Sequence, residues 1–158
     1  MAGISPARKH AMAERWLALA VQTYPVPSRR FLVDQRDPFR NPAGQALRKR
    51  IPELVEELFG EMDAGKVGAA LEDLMRLRAV QRFSAREAVG FLFGLKTILR
   101  EESAADWETL ARWEERVDEL ALAAFDLFMR FREQIYQIQA DEARRRVAQL
   151  ERMYSREG

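Results

Sequence analysis

Cysteine is absent from the 158 residues and histidine occurs once, as His10. Without a thiol the chain forms no disulfide, thiolate zinc site or iron–sulfur cluster. A single histidine near the N-terminus rules out multi-histidine metal sites. It also leaves a haem without a suitable proximal ligand, so neither a metal nor a cofactor is expected. No apolar run reaches the roughly 18 residues of a membrane helix, and MAGISPARKH lacks a signal-peptide core. The expectation is a cytoplasmic chain with no membrane partner. Proline is missing after Pro52, and neither glycine nor proline occurs between Gly94 and Gly158. An irregular first third and an uninterrupted helical last third follow.

Against these absences, 47% of residues are hydrophobic and 32% charged, the balance of a folded chain long enough to bury one core without staples. The net charge of +1 hides an asymmetry: residues 1–52 carry ten Lys/Arg against three Asp/Glu, and residues 53–158 sixteen against twenty-two. Complementary halves of one fold account for this more simply than a basic face does. No period-2 alternation or internal repeat is present, so the expected class is all-α. The expected architecture is a single-domain bundle of about five to seven helices ending in a long C-terminal helix. Residues 1–140 form its body, and residues 141–158 a projecting helical tail.

Ser5-Pro6 opens a first helix running to about Thr23. Tyr24 to Arg40 reads as a proline-punctuated loop pinned by Phe31, Leu32 and Phe39. Asn41-Pro42 opens a second helix to about Met62, which Pro52 kinks or divides. A third helix ends near Gln81, with Val67, Ala70, Leu71, Leu74 and Met75 inward. Arg78 to Phe83 reads as a polar hinge into the capping box Ser84-Ala85-Arg86-Glu87. The fourth helix then runs to about Glu102, with Gly90 and Gly94 on one side for close packing. Asp106 caps a segment helical from Trp107 to about Tyr154. Some 70 Å long at 1.5 Å per residue, it must either break near residues 139–144 or project.

Few residues suggest chemistry. Lys96 falls inside the apolar arc of the fourth helix, and Glu114, Asp118 and Arg132 fall inside that of the last. Lysine is rarely buried unpaired. Lys96 therefore extends to water, pairs internally with Asp118 or Glu114, or binds a ligand. In the ligand reading a pocket between the fourth and last helices is lined by Phe91, Leu95, Phe125 and Phe128. No reaction can be assembled around Lys96, because no base, nucleophile elbow or phosphate loop accompanies it. No catalytic residue is expected, and the protein is not expected to be an enzyme. Arg144-Arg145-Arg146, flanked by acids, reads as a solvated face and not a nucleic-acid surface. Trp107, Phe125, Phe128 and Phe131 read as core. Val147, Leu150, Met153 and Tyr154 lie in a charged background and would face a second copy or a partner helix.

Two blocks resemble the N-terminal helical sensory domain of RsbRD-type RsbT co-antagonists, relatives of bacterial stressosome subunits. One is DPFRNPAG at 37–44, holding Asp37, Pro38, Phe39, Asn41, Pro42 and Gly44. The other is LRAVQRFSAREAVGFLFGLKTILRE at 77–101, holding Arg78, Gln81 and Ser84. The resemblance spans essentially the whole chain. It implies a regulatory domain of the stress response, globin-like without haem, that signals by protein–protein association. In such proteins a STAS domain follows; this sequence ends at Gly158 without one. The expectation is a dimerising sensor or adaptor acting on a separate regulatory protein encoded nearby.

Overall fold

The computed structural model describes residues 3–157, and every described element is helical. Residues 1, 2 and 158, the outermost of the two expected spans, lie outside it. The elements are α1 (Pro6–Gln22), α2 (Val26–Asp34), α3 (Pro42–Phe59), α4 (Ala64–Val80), α5 (Ala85–Gly90), α6 (Gly94–Glu102) and α7 (Trp107–Arg156). The most extensive packing joins α4 to α7, α3 to α4 and α1 to α3. Trp16, Ile51, Leu71, Met75, Leu95 and Leu120 meet in one continuous core.

The helix starts follow the expected chemistry. Ser5, Asn41, Ser84 and Asp106 each accept a backbone N–H from the first turn that follows, and Asp63, not among the expected caps, does the same for α4. At Ser84 the box closes both ways: its N–H donates to Glu87 Oε2 at 2.9 Å, and its Oγ accepts from the Glu87 N–H at 3.2 Å. The inward stripe expected for the third helix is buried throughout.

Several expectations meet the structure here. Residues 26–34 form α2, not loop. Prolines near a helix start are compatible with helix, and Arg29 ties the element down by donating to the Tyr24 and Gln22 carbonyls. Only Leu32 is buried there; Phe31 is 48% and Phe39 95% exposed. Of the two outcomes expected at Pro52, a kink or a division, division does not occur, and α3 continues through it. The fourth helix is not continuous. Residues 91–93 overwind between α5 and α6, and five successive i→i+3 bonds run from Leu92 N–H to Lys96 N–H. Of its two glycines, only Gly94 is a close approach, where a Cβ would lie 2.9 Å from Leu19 Cδ1; nothing lies within 4 Å at Gly90. Trp107 is 81% and Phe125 44% exposed, so half the expected aromatic stripe is not core.

The last segment does not break. α7 runs unbroken for 50 residues, about 75 Å of helix. Its last buried residue is Phe131, and Ile135 is the last apolar side chain packed on the core. Beyond that the helix projects.

Candidate functional site

The residues expected to form one polar cluster separate. Lys96 Nζ pairs with Asp118 Oδ1 at 2.6 Å, the two side chains being 24% and 50% exposed. The pairing is as expected, but it lies at the surface and not in the interior. Glu114 pairs with Arg100 through two bonds of 2.6 and 3.1 Å. Arg132 lies 14 residues beyond Asp118, about 21 Å along the helix. There it donates to Ala79 O at 3.4 Å and to Tyr136 Oη at 2.6 Å. The expected pocket is not assembled either. Leu95 and Phe128 are core, Phe125 is half exposed, and Phe91 stacks on Trp16 at 5.8 Å between ring centroids. Exposed ion pairs contribute at most about 1 kcal/mol, so Lys96→Met is expected to change stability by no more than that, as measured by urea denaturation.

Among the described residues the buried charge is Arg78. Four residues after Leu74 and three after Met75, it follows the inward stripe of α4 and is 1% exposed. No carboxylate meets it. Its guanidinium lies over the rings of Phe91, Phe83 and Tyr24, at 4.4, 4.8 and 5.4 Å from their centroids. It donates to Glu87 O at 3.1 Å, Thr23 Oγ1 at 3.0 Å and Ala20 O at 3.5 Å, and Nε has no partner. Burial lowers its pKa to about 10, with Tyr24 opposing the shift. Tyr24, raised by its own burial, donates to Gln81 Oε1 at 2.9 Å. Arg78, Gln81 and Ser84 thus lock the ends of α1 and α4 to the start of α5. The 3.6-residue period of α4 places Arg78 inward with Leu74 and Met75, whereas a charged residue at a helix end ordinarily reaches water.

A second knot explains the other block. Asn41 is 2% exposed. Its Nδ2 donates to the carbonyls of Leu32, Gln35 and Phe31 at 2.9, 3.0 and 3.3 Å, while its Oδ1 accepts the Gly44 N–H at 2.9 Å. Asp37 Oδ1 accepts the Phe39 N–H, and the Asp37 carbonyl accepts the Asn41 N–H. Pro42 sits in the first turn of α3, where its missing N–H costs nothing. Both blocks therefore serve architecture, with Pro38 and Phe39 on an exposed loop within the first.

What remains outward is on α7. Leu122, Met129, Tyr136 and Leu150 are spaced by multiples of seven and are 69%, 38%, 55% and 53% exposed. Val147, Met153 and Tyr154 widen the stripe in the tail, at 55%, 60% and 75%. This seam lies apart from the core face of the same helix, which carries Val117, Ala121, Ala124 and Phe128.

A model of the RsbT co-antagonist protein rsbRD N-terminal domain matches residues 10–145. The chain belongs to that family. Membership makes it a regulatory, stress-signalling domain by family, and both knots lie inside the matched span. The outer half of the α7 tail, from Arg146 onward, lies beyond it. No curated protein and no solved structure matches the chain. Among the described residues, no group of three or more His, Cys, Asp or Glu side chains is placed to hold a metal ion, and no helix is long and apolar enough to cross a membrane.

Proposed function

We propose that this RsbRD N-terminal domain is a non-enzymatic cytoplasmic module that acts by protein–protein association and pairs with a second copy through α7. The carrying observation is the row of exposed apolar residues from Leu122 to Tyr154, several of them at seven-residue intervals, on a helix that outruns its own core. A row of this length is what a helical partner covers. The buried polar side chains support a non-catalytic role, because they are spent on the fold. Asn41 and Arg78 hold carbonyls, and Ser103 Oγ accepts the Ala105 N–H.

The tail carries Arg144, Arg145 and Arg146 among Asp141, Glu142 and Glu151, and Arg144 pairs with Asp141 at 3.5 Å, so its charged flanks are mixed in sign. The signalling partner is a separate regulatory protein, brought to the dimer paired through α7.

Sedimentation equilibrium is expected to show a dimer that dissociates at least about tenfold more readily when Val147 and Leu150 are both replaced by glutamate. Circular dichroism of that variant should show the bundle intact. A strict monomer over a wide concentration range for the wild-type chain would sink the pairing.

A further inference from the structure

Helices α1, α2 and α3 leave between them a cleft of about 360 Å³, at the small end of the roughly 300–1,000 Å³ typical of small-molecule sites. Its floor is aliphatic, formed by Leu17, Val21, Leu32, Leu47 and Ile51. Pro52, which returns no N–H to the preceding turn of α3, lies along one wall.

Two guanidinium groups share this cleft, Arg36 and Arg48. Arg48 spends its Nη atoms on neutral acceptors, Leu32 O at 3.0 Å and Gln35 O at 3.2 Å. Its pKa is lowered first by burial and then by the charge of Arg36. Arg36 has neither an ion-pair nor a hydrogen-bond partner among the described residues. Glu14, the one carboxylate in the lining, bonds to neither arginine, and His10 stands beside it. Two like charges at the edge of an apolar hollow, one of them with no partner, are relieved by an anion that both can reach. A guanidinium fork matches a carboxylate in particular.

We propose that this cleft is a binding site for a medium-chain monocarboxylate, its chain on the aliphatic floor and its carboxylate held by Arg36 and Arg48. The small volume favours a chain of this class over a long acyl chain. None of the lining residues belongs to α7, so the binding test and the pairing test report on different residues.

Octanoate, titrated into the full chain and followed by heteronuclear NMR and calorimetry, is the probe. Shifts are expected to concentrate on α1, α2 and α3. Arg36→Gln, at an exposed side chain with no bonds to lose, is expected to weaken binding about tenfold or more. Arg36→Lys should recover part of the loss. Octanol has the same chain without the charge and should bind as weakly as octanoate does to Arg36→Gln. Leu17→Trp, which fills the hollow and leaves both cations, should remove binding while circular dichroism stays unchanged. The proposal is overturned if octanoate at millimolar concentration leaves the spectrum unmoved, if octanol binds as tightly as octanoate, or if Arg36→Gln binds like the wild type.

Discussion

Replacing Arg78 by alanine is expected to cost about 3–5 kcal/mol, because it empties a fully packed site and strips the partners of Thr23 Oγ1 and Glu87 O. For a chain of this size the loss corresponds to a fall in Tm of roughly 6–20 °C. Arg78→Met should cost far less, about 1–2 kcal/mol, and this difference is the informative part of the experiment. Methionine fills the volume of the stem among Tyr24, Phe83 and Phe91 and brings no charge to desolvate. Burial lowers the Arg78 pKa to about 10, the sign expected when desolvation disfavours the charge. The rings and three neutral acceptors offset that desolvation. Equal losses for both variants in urea denaturation would show that the guanidinium, and not its volume, holds the joint.

The pH dependence has a definite sign. A cation whose folded pKa is lowered releases its proton more readily in the folded state. Its destabilising contribution is therefore complete below about pH 10, and is relieved only as pH rises through about 10 toward the unfolded value near 12.5. Between roughly pH 5 and 9 the stability difference between wild type and Arg78→Met should stay flat. It should shift in favour of the wild type only in the alkaline limb.

Gly44→Ala is the second large effect, and its sign opposes helix propensity. In an open helix the change stabilises by about 1 kcal/mol. At Gly44 an added Cβ would lie 2.5 Å from the Leu32 backbone carbonyl and closer still to the Asn41 amide. Neither can yield, because Asn41 is bonded at both ends of its side chain. A loss of about 3 kcal/mol is expected, with α2 released from α3. Gly68→Ala is the control: nothing lies within 4 Å of the new Cβ, and α4 should gain about 0.5–1 kcal/mol. Thermal denaturation of the two variants side by side checks both signs. If Gly44→Ala is neutral, the knot at Asn41 does not hold the two helices.

These two sites show where local sequence suffices and where it does not. Asn41-Pro42 marks a helix start because the cap acts within three residues, and it does so here. That the same asparagine also gathers three carbonyls from the end of α2 depends on a helix packed against it, which no local pattern encodes. Arg78 sat in plain view on the inward stripe of α4, yet a charged residue at a helix end ordinarily reaches water. Phe39 is the opposite case. An aromatic residue among prolines suggests an anchor, but hydrogen bonds that Asp37 accepts from the Phe39 and Asn41 N–H groups hold the loop, and the ring is left 95% exposed. The α7 seam was legible in its tail residues Val147, Leu150, Met153 and Tyr154. Its continuation through Leu122 and Met129 was not, because a wheel cannot tell two apolar faces of one helix apart until one of them is covered.

By itself the sequence determined the all-α class, most of the capped helix starts and the helical character of residues 107–154. Each depends on interactions spanning a few residues: a side-chain cap, a missing glycine or proline, a 3.6-residue period. Only the tertiary structure decided which side of α7 is core, that Lys96 pairs at the surface, and that the buried cation is Arg78. Those outcomes turn on contacts between distant positions, such as Trp16 Nε1 donating to Phe91 O across 75 residues. Burial is set by what the rest of the chain brings to a face, and that is a property of the packed whole.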